Sequence, residues 1–169
     1  MKLVAFEAVA KALDAEQVRY LVAGGLAVNA HGYIRLTMDI DLVIALNSDN
    51  IQRALRALAE LDYRPTVPIE LEDFSKPEKR AQWRREKGMQ VLNFHSDWFP
   101  GTAVDIFVYE PFDFDTEYHA ALIGELMPGL PVRFVSVSML IEMKEAAGRP
   151  RDLDDAQHLK WIQEDSDHE

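Results

Sequence analysis

Two aspartates, Asp39 and Asp41, are separated by one apolar residue at the start of a β-favouring run. Residues two apart in a strand point to the same face, so the two carboxylates would stand side by side. Neighbouring carboxylates repel each other unless a positive charge lies between them. Mg²⁺ prefers oxygen ligands and often bridges carboxylates to substrate phosphates, which makes this pair a candidate Mg²⁺ site. A solvated strand edge or a helix cap is the alternative interpretation.

A candidate phosphate-binding turn lies just before this pair in the chain. The β-favouring run Val18–Val22 leads into Gly24-Gly25, and a short helical pattern begins at Leu26. Glycines let the backbone approach a ligand without a Cβ in the way, and N–H groups at a helix start can hold an anionic phosphate. An ordinary turn has the same composition. The turn and the acidic pair in this order are more specific than either feature alone.

These features need a framework of strands and helices to position them. Residue patterns predict helices over 3–13, 26–31, 48–61, 77–87, 112–126, 136–148 (or 138–148) and 152–162, and strands over 18–22, 39–46, 63–67, 89–94, 102–108 and 132–135. The helix over 77–87 is expected from its Lys, Arg and Glu content, and the others mainly from their apolar residues. Ser48 and Asp152 are the expected N-caps of two of these helices. Strands and helices intermix, which predicts an α/β fold with a mixed β-sheet flanked by helices and a helical C-terminal end. We expect a single domain over 1–163 and an acidic tail over 164–169.

Composition narrows the class of protein. The chain has 169 residues, no cysteine and a formal net charge of −11. Its length suits one hydrophobic core, and the lack of cysteine excludes disulfides, thiolate metal sites and a cysteine nucleophile. The negative charge argues against a broad nucleic-acid-binding surface. No apolar run reaches the length of a membrane span, and Glu7 comes too early for a signal peptide, so we expect a cytoplasmic protein with no membrane partner.

The string from Gly24 to Asp41 resembles the signature of the polymerase-β-like nucleotidyltransferases. The matching positions are Gly24, Gly25, Ala27, Val28, His31, Gly32, Arg35, Thr37, Asp39 and Asp41. The string looks like that of small bacterial AbiEii-type and related nucleotidyltransferases, some of which are toxins of toxin–antitoxin pairs. A second string resembles the group's C-terminal signature and consists of Lys144, Ala147, Gly148, Arg149, Pro150, Arg151, Asp152 and Asp155. The middle of the chain matches no motif of the group.

The resemblance implies a nucleotidyltransferase core in which three carboxylates hold two Mg²⁺ ions. Asp39 and Asp41 would bind both ions, and Asp105, in the apolar run Val104–Val108, would complete the set. An isolated acid in such a run is costly to bury without a partner, although a water-facing sheet edge would also explain it. The reaction would be an in-line displacement that moves a nucleoside monophosphate from an NTP to an acceptor.

The resemblance also implies roles for residues outside the carboxylate set. The nucleotide-binding set would be Gly24, Gly25, Arg35, Thr37 and Lys144. Arg35 and Thr37 would either contact phosphates or hold their loop, and Lys144 would bind phosphate unless it is a solvated helix charge. Asp152 would be a catalytic base or an orienting group near the active site, in competition with its interpretation as a helix N-cap.

The acceptor is the least determined part of the prediction. A basic cluster surrounds Trp83 and consists of Lys79, Arg80, Arg84, Arg85 and Lys87. It is either a solvated helix face or a contact with triphosphate or RNA, in which Trp83 stacks on a base.

We therefore expect Mg²⁺-dependent transfer from an NTP, ATP included, to a hydroxyl or phosphate of a tRNA or protein acceptor. Such a toxin-like enzyme would be paired with a cognate antitoxin. The alternatives are a small-molecule adenylyltransferase of the antibiotic-modifying type and a non-catalytic nucleotide-binding interaction module. The intact acids Asp39, Asp41 and Asp105 count against the last of these.

Overall fold

A seven-stranded mixed sheet forms the centre of the fold. The computed structural model describes residues 3–169, so the first two positions of the predicted domain lie outside the described residues. The strands are β1 (Tyr20–Ala23), β2 (Ile40–Ile44), β3 (Arg64–Pro65), β4 (Val91–His95), β5 (Val104–Phe107), β6 (Leu122–Met127) and β7 (Leu130–Phe134). They lie in the order β3-β4-β5-β2-β1-β7-β6. The β2–β5 and β1–β7 pairs are parallel, and the other neighbours are antiparallel.

Helices pack on both faces of this sheet. They are α1 (Leu3–Ala15), α2 (Gly24–Ala30), α3 (Ser48–Ala59), α4 (Pro77–Lys87), α5 (Phe114–Ala120), α6 (Val137–Ala147) and α7 (Pro150–Asp167), with a 3₁₀ turn over Leu71–Ser75. The predicted α/β class, with a mixed sheet flanked by helices and a helical C-terminal end, is confirmed. Among residues 3–169, no helix combines the length and the apolar composition that crossing a bilayer requires.

Alternation along β2 divides its side chains between two cores. Ile40, Leu42 and Ile44 are buried in the core that α1 and α3 cover. Val43 points the other way, into a core shared with α2, α6 and α7. Asp41 lies on the face of Val43 but near the start of the strand, where it is only half-buried. The period-two pattern therefore sets this acid on the face opposite the larger core.

The segment 112–126, predicted as one helix, is divided between α5 and β6. Residue Ala121 is extended, and β6 pairs antiparallel with β7 across a turn that contains Gly129, whose φ is +81°. The helix prediction was wrong because the apolar spacing of so short a run also suits a strand. Pairing with β7 satisfies the backbone of β6, and only the tertiary fold reveals that partner.

Two helix starts differ from the predicted caps. Asn47 rather than Ser48 caps α3, because its side chain accepts a hydrogen bond from the backbone N–H of Asn50 at 2.9 Å. Arg149 rather than Asp152 is the N-cap of α7, because Pro150 takes the first helical position. The helix α7 also continues to Asp167 instead of ending at residue 162, so most of the predicted acidic tail is helical.

Candidate active site

Four neighbouring strands have an end on the same side of the sheet, which is called the sheet edge below. The strands β1 and β4 end there, and β2 and β5 begin there. Strand register sets Ala23 opposite Asp41, Asp41 opposite Asp105, and Asp105 opposite Asn93. Directly opposed residues share a face of the sheet, so Asp41, Asp105 and Asn93 form a polar row across three strands. Asp39 lies just before β2 and is half-buried.

Asp41 and Asp105 form a carboxyl pair within this row. Each carboxyl group acts on the pKa of the other, so the two side chains lie close together. The side chain of Asn93 donates from Nδ2 to Oδ1 of Asp105 at 2.5 Å. Burial, Asp105 and Asp39 raise the pKa of Asp41 to about 7. Burial and Asp39 also raise the pKa of Asp105, although hydrogen bonds from Asn93 and Asp41 oppose that rise. The sheet edge thus holds more negative charge than its surroundings neutralise.

A divalent cation fits the chemistry of this pair. Carboxylate oxygens are the hard ligands that Mg²⁺ prefers, and a cation between Asp41 and Asp105 would favour their ionised forms against the burial that chiefly raises both pKa values. Asp39 lies near enough to act electrostatically on both. Within residues 3–169, no three acidic or histidine side chains form a complete metal cluster. A metal site formed by Asp39, Asp41 and Asp105, with one ion or with two, therefore stays a prediction.

The two glycines leave room for side chains of the site. Gly24 has a φ of +61°, and a Cβ there would overlap Oδ2 of Asp41 and lie 2.7 Å from its Cγ. A Cβ at Gly25 would overlap Oγ1 of Thr37 and lie 3.1 Å from Nη1 of Arg35. Both positions therefore need glycine because side chains of this same chain pack against them. Their contact with a triphosphate stays a prediction.

A buried cluster of charges borders the carboxyl pair. Lys144 Nζ lies 3.0 Å from a carboxylate oxygen of Asp155 and 3.3 Å from one of Asp152, and both aspartates are almost fully buried. Arg35 donates to both carboxylate oxygens of Asp155, at 2.7 Å from Nε and 2.6 Å from Nη2. Arg149 donates from Nε to Asp152 at 2.6 Å. Because Lys144 is buried and paired, its interpretation as a solvated helix charge is wrong.

This cluster sets three cationic side chains against two carboxylates. Burial alone would raise the pKa of Asp155, but hydrogen bonds from Arg35 and Lys144 outweigh it and hold that pKa below its usual value. The pKa of Asp152 is lowered in the same way, with Arg149 and Lys144 acting against burial. Lys144 and Arg149 also act on Asp41, where they limit the rise of its pKa. Their charge therefore acts on the carboxyl pair as well as on their own partners.

The structure gives some predicted site residues a structural role. Arg35 ties the segment between α2 and β2 to α7 through Asp155, which matches the loop-holding alternative. Asp152 lies at the third helical position of α7, where it accepts a hydrogen bond from the backbone N–H of Arg149 at 3.3 Å. It therefore stabilises the helix start from inside the helix rather than from the N-cap. Nucleotide contacts of Arg35, Thr37 and Lys144 stay predictions.

Three residues of the site received no role in the sequence analysis, namely Asn93, Arg149 and Asp155. Asn93 alternates with Leu92 and Phe94, so its position between two buried strand residues was the available signal. Arg149 and Asp155 stand inside the C-terminal string that resembles the nucleotidyltransferase signature. Only the packing of α6 against α7 shows which charges they meet.

The structure does not support the basic cluster on α4 as a site where Trp83 stacks on a base. Trp83 is buried and packs on Phe74, with ring centroids 6.4 Å apart. Arg80 is also buried, and its Nη1 donates to the carbonyl oxygen of Phe74 at 2.7 Å. The exposed members of the cluster are Arg84, Arg85 and Lys87. Base stacking on Trp83 is therefore wrong, because the apolar side of α4 turns inward.

Comparison with solved structures identifies the fold. ANT(2'')-Ia, solved with adenylyl-2''-tobramycin, superposes with a TM-score of 0.57 at 13% identity over 93% of this chain and 86% of its own. TM1012 of Thermotoga maritima, a protein assigned to the nucleotidyltransferases, gives 0.53 at 15% identity over 96% and 92%. The lincosamide antibiotic adenylyltransferase LnuA, solved with lincomycin, gives 0.52 at 13% identity over 88% and 90%. The chain has a nucleotidyltransferase fold.

At the level of sequence, no protein-family model and no curated protein matches the chain. The resemblance to polymerase-β-like nucleotidyltransferases is thus supported by the fold, and the AbiEii-type subgroup stays a prediction.

The collision at Gly24 leads to a first prediction. Gly24→Ala should lower the free energy of unfolding more than Gly129→Ala does, by about 1–3 kcal/mol, since its Cβ must displace the Asp41 carboxyl. Gly129 is a matched control, because it has a φ of +81° and a Cβ added there would meet no atom within 4 Å. Urea unfolding of both variants in EDTA measures the difference. Equal losses would show that the space beside Gly24 is not restricted by Asp41.

The buried charge cluster leads to a second prediction. Asp155→Asn should destabilise the protein by about 3–5 kcal/mol, because it leaves Arg35 and Lys144 buried without their shared partner. Asp115→Asn is the control, because Asp115 pairs with Arg19 at 2.7 Å on the surface. This substitution should lower the free energy of unfolding by no more than about 1 kcal/mol. Urea unfolding at neutral pH compares the two. Similar, small effects of both variants would contradict a structural role for the cluster.

Proposed function

We propose that this protein transfers a nucleoside monophosphate from an NTP to an acceptor hydroxyl in a Mg²⁺-dependent reaction. The observation that carries the proposal is the Asp41–Asp105 carboxyl pair, which lies beside Gly24 and opposite the cations Lys144 and Arg149. A Mg²⁺ ion would offset the charge of the carboxyl pair and also bind the oxygens of a triphosphate, and Lys144 and Arg149 would add positive charge beside them. The nucleotidyltransferase fold supports this reaction class.

Each residue of the site has a proposed task. Asp41 and Asp105 would hold Mg²⁺, with Asp39 as the third ligand, and the bound metal would supply charge stabilisation at the phosphates. Lys144 and Arg149 would face the triphosphate. The side chain of Arg149 is 78% exposed, so it can reach a ligand without leaving the cluster that anchors it.

The reaction balances without a covalent enzyme intermediate. The acceptor oxygen would form a bond to the α-phosphorus while the bond to the bridging oxygen breaks, so pyrophosphate leaves. The hydroxyl proton would pass to solvent water as the new bond forms.

A small-molecule acceptor is the alternative that the observations favour. Two proteins with the same fold, ANT(2'')-Ia and LnuA, are an antibiotic-resistance factor and an antibiotic adenylyltransferase. The feature that suggested an RNA acceptor has weakened, since Trp83 and Arg80 are buried. Toxin-like transfer to tRNA or protein, with a cognate antitoxin, stays a prediction that the sequence resemblance alone supports. A non-catalytic nucleotide-binding module stays the other alternative, and the set of acids Asp39, Asp41 and Asp105 counts against it.

The proposed reaction predicts the behaviour of three aspartate variants. Asp39→Asn, Asp41→Asn and Asp105→Asn should each lower transfer from α-labelled NTP by about 10³-fold while the protein stays folded. Asp165→Asn, which removes an exposed carboxylate of α7, is the control and should keep its activity.

Thermal unfolding of the same variants separates loss of chemistry from loss of fold. The parent should gain stability with Mg²⁺ and an NTP, by roughly 2.7 kcal/mol at a hundredfold excess over Kd. Asp41→Asn should melt no lower than the parent in EDTA, because it removes a repelled charge. A parent protein that gains no stability with Mg²⁺ and any of the four NTPs would contradict the proposed function.

A further inference from the structure

A pocket of about 260 Å³ opens beside Asp39, at the same sheet edge as the carboxyl pair. Met38 and Asp39 line one side, and the loop between β4 and β5 lines the other through Phe99 and Ala103. Asp39 and Ala103 stand two residues before Asp41 and Asp105 in the parallel pair. The pocket therefore adjoins the positions that would hold Mg²⁺ and shares Asp39 with them.

The far wall of this pocket is held in place by hydrogen bonds from side chains to the backbone. Ser96 Oγ donates to a backbone carbonyl just after α3 at 2.6 Å and accepts from the N–H of Trp98 at 3.1 Å. The hydroxyl of Tyr63 donates to the carbonyl of Thr102 at 2.9 Å. The Tyr63 ring stacks on Phe99, with centroids 6.1 Å apart and planes inclined by 7°. Three of these contacts tie the loop to Leu61 and Tyr63, so the pocket is formed before any ligand arrives, which lowers the cost of binding.

The charges around the pocket select against anions. Asp39 and His95 line it, and among the described residues that do so there is no lysine or arginine. The nearby Arg64 is already paired, with Asp97 at 3.0 Å and with Asp62 at 3.5 Å. A phosphate or carboxylate in this pocket would meet the carboxylate of Asp39, with neither a lysine nor an arginine in the described lining to pair with it. The apolar surfaces of Met38 and Phe99 instead favour an uncharged group.

We propose that this pocket binds the acceptor, and that the acceptor is a small molecule whose hydroxyl ends an apolar group without negative charge. The apolar group would pack between Met38 and Phe99, and the hydroxyl would point toward Asp105. The pocket volume is below the roughly 300–1,000 Å³ of sites for drug-sized ligands, so it suits a small acceptor or the reacting end of a larger one. The inference rests on the proposed function, because a hydroxyl at this place becomes an acceptor only beside a bound NTP.

Two probes that differ in one charged group test the inference, namely benzyl alcohol and 4-(hydroxymethyl)benzoate. Amide chemical shifts of the isotope-labelled full chain in EDTA would be followed as each probe is added. We expect benzyl alcohol to shift the amides of Ser96, Gly101 and Ala103, and to bind about tenfold more tightly than the benzoate. No shift with benzyl alcohol, or equal affinity for the two probes, would overturn the proposal.

Variants locate the binding and test its charge preference. Ala103→Phe fills the pocket and should abolish the shifts. Met38→Lys should reverse the preference, so that the benzoate binds more tightly than benzyl alcohol. Because the Met38 side chain is 53% exposed, this variant should fold even if Ala103→Phe does not. Leu36→Lys, at a position that is 74% exposed and does not line the pocket, is the matched control and should leave both affinities unchanged. The same reversal in Leu36→Lys would assign the effect to overall charge and contradict the pocket.

Thermal unfolding with Mg²⁺ and NTP on the same samples distinguishes two kinds of failure. Stabilisation by Mg²⁺ and NTP without probe binding would refute the acceptor pocket and leave the proposed function standing. Probe binding without that stabilisation would retain the pocket as a ligand site and refute its role as an acceptor site.

Discussion

The in-register parallel pairing of β2 with β5 forces two carboxylates, Asp41 and Asp105, to stand next to each other at the edge of a sheet. Such a pair is unfavourable unless its charge is offset, and the surrounding structure supplies partial compensation. Asn93 donates a hydrogen bond from the third strand, and Lys144 and Arg149 act from the helical layer. The compensation is incomplete, since the pKa of Asp41 stays near 7. The remaining charge is what a metal ion would neutralise.

The helical layer depends on the same requirement. Lys144 would be costly to bury beside the sheet alone, and Asp152 and Asp155 make its burial tolerable. Asp155 also holds Arg35, and through it the segment that carries Thr37 and leads to Asp39. One network of paired charges thus fixes α6, α7 and the segment before β2 against one another. The ion pairs within the protein therefore position these elements without a bound nucleotide.

Local rules predicted the parts of the site that lie close together in the chain. The alternation around Asp41 and the strand-to-helix turn at Gly24 follow from backbone geometry, and the mixed α/β class follows from the intermixed patterns. Residues whose roles depend on distant partners were out of reach. Asp155 on α7 binds Arg35, which lies 120 positions earlier in the chain, and β6 forms by pairing with β7. Local spacing could assign neither of them. Trp83 was misread because a basic helix can still turn one aromatic side chain into the core.

The most direct test of the account is the titration of the Asp41 and Asp105 carboxyl carbons by NMR, with and without Mg²⁺. In EDTA, Asp41 should titrate near pH 7, so the fold should lose stability as the pH rises from about 4 towards 7, where the native state holds more protons than the unfolded chain. Millimolar Mg²⁺ should lower that midpoint by more than about one pH unit, because the cation favours the ionised pair. Titration near the ordinary aspartate value in EDTA, or a midpoint unchanged by Mg²⁺, would contradict the account.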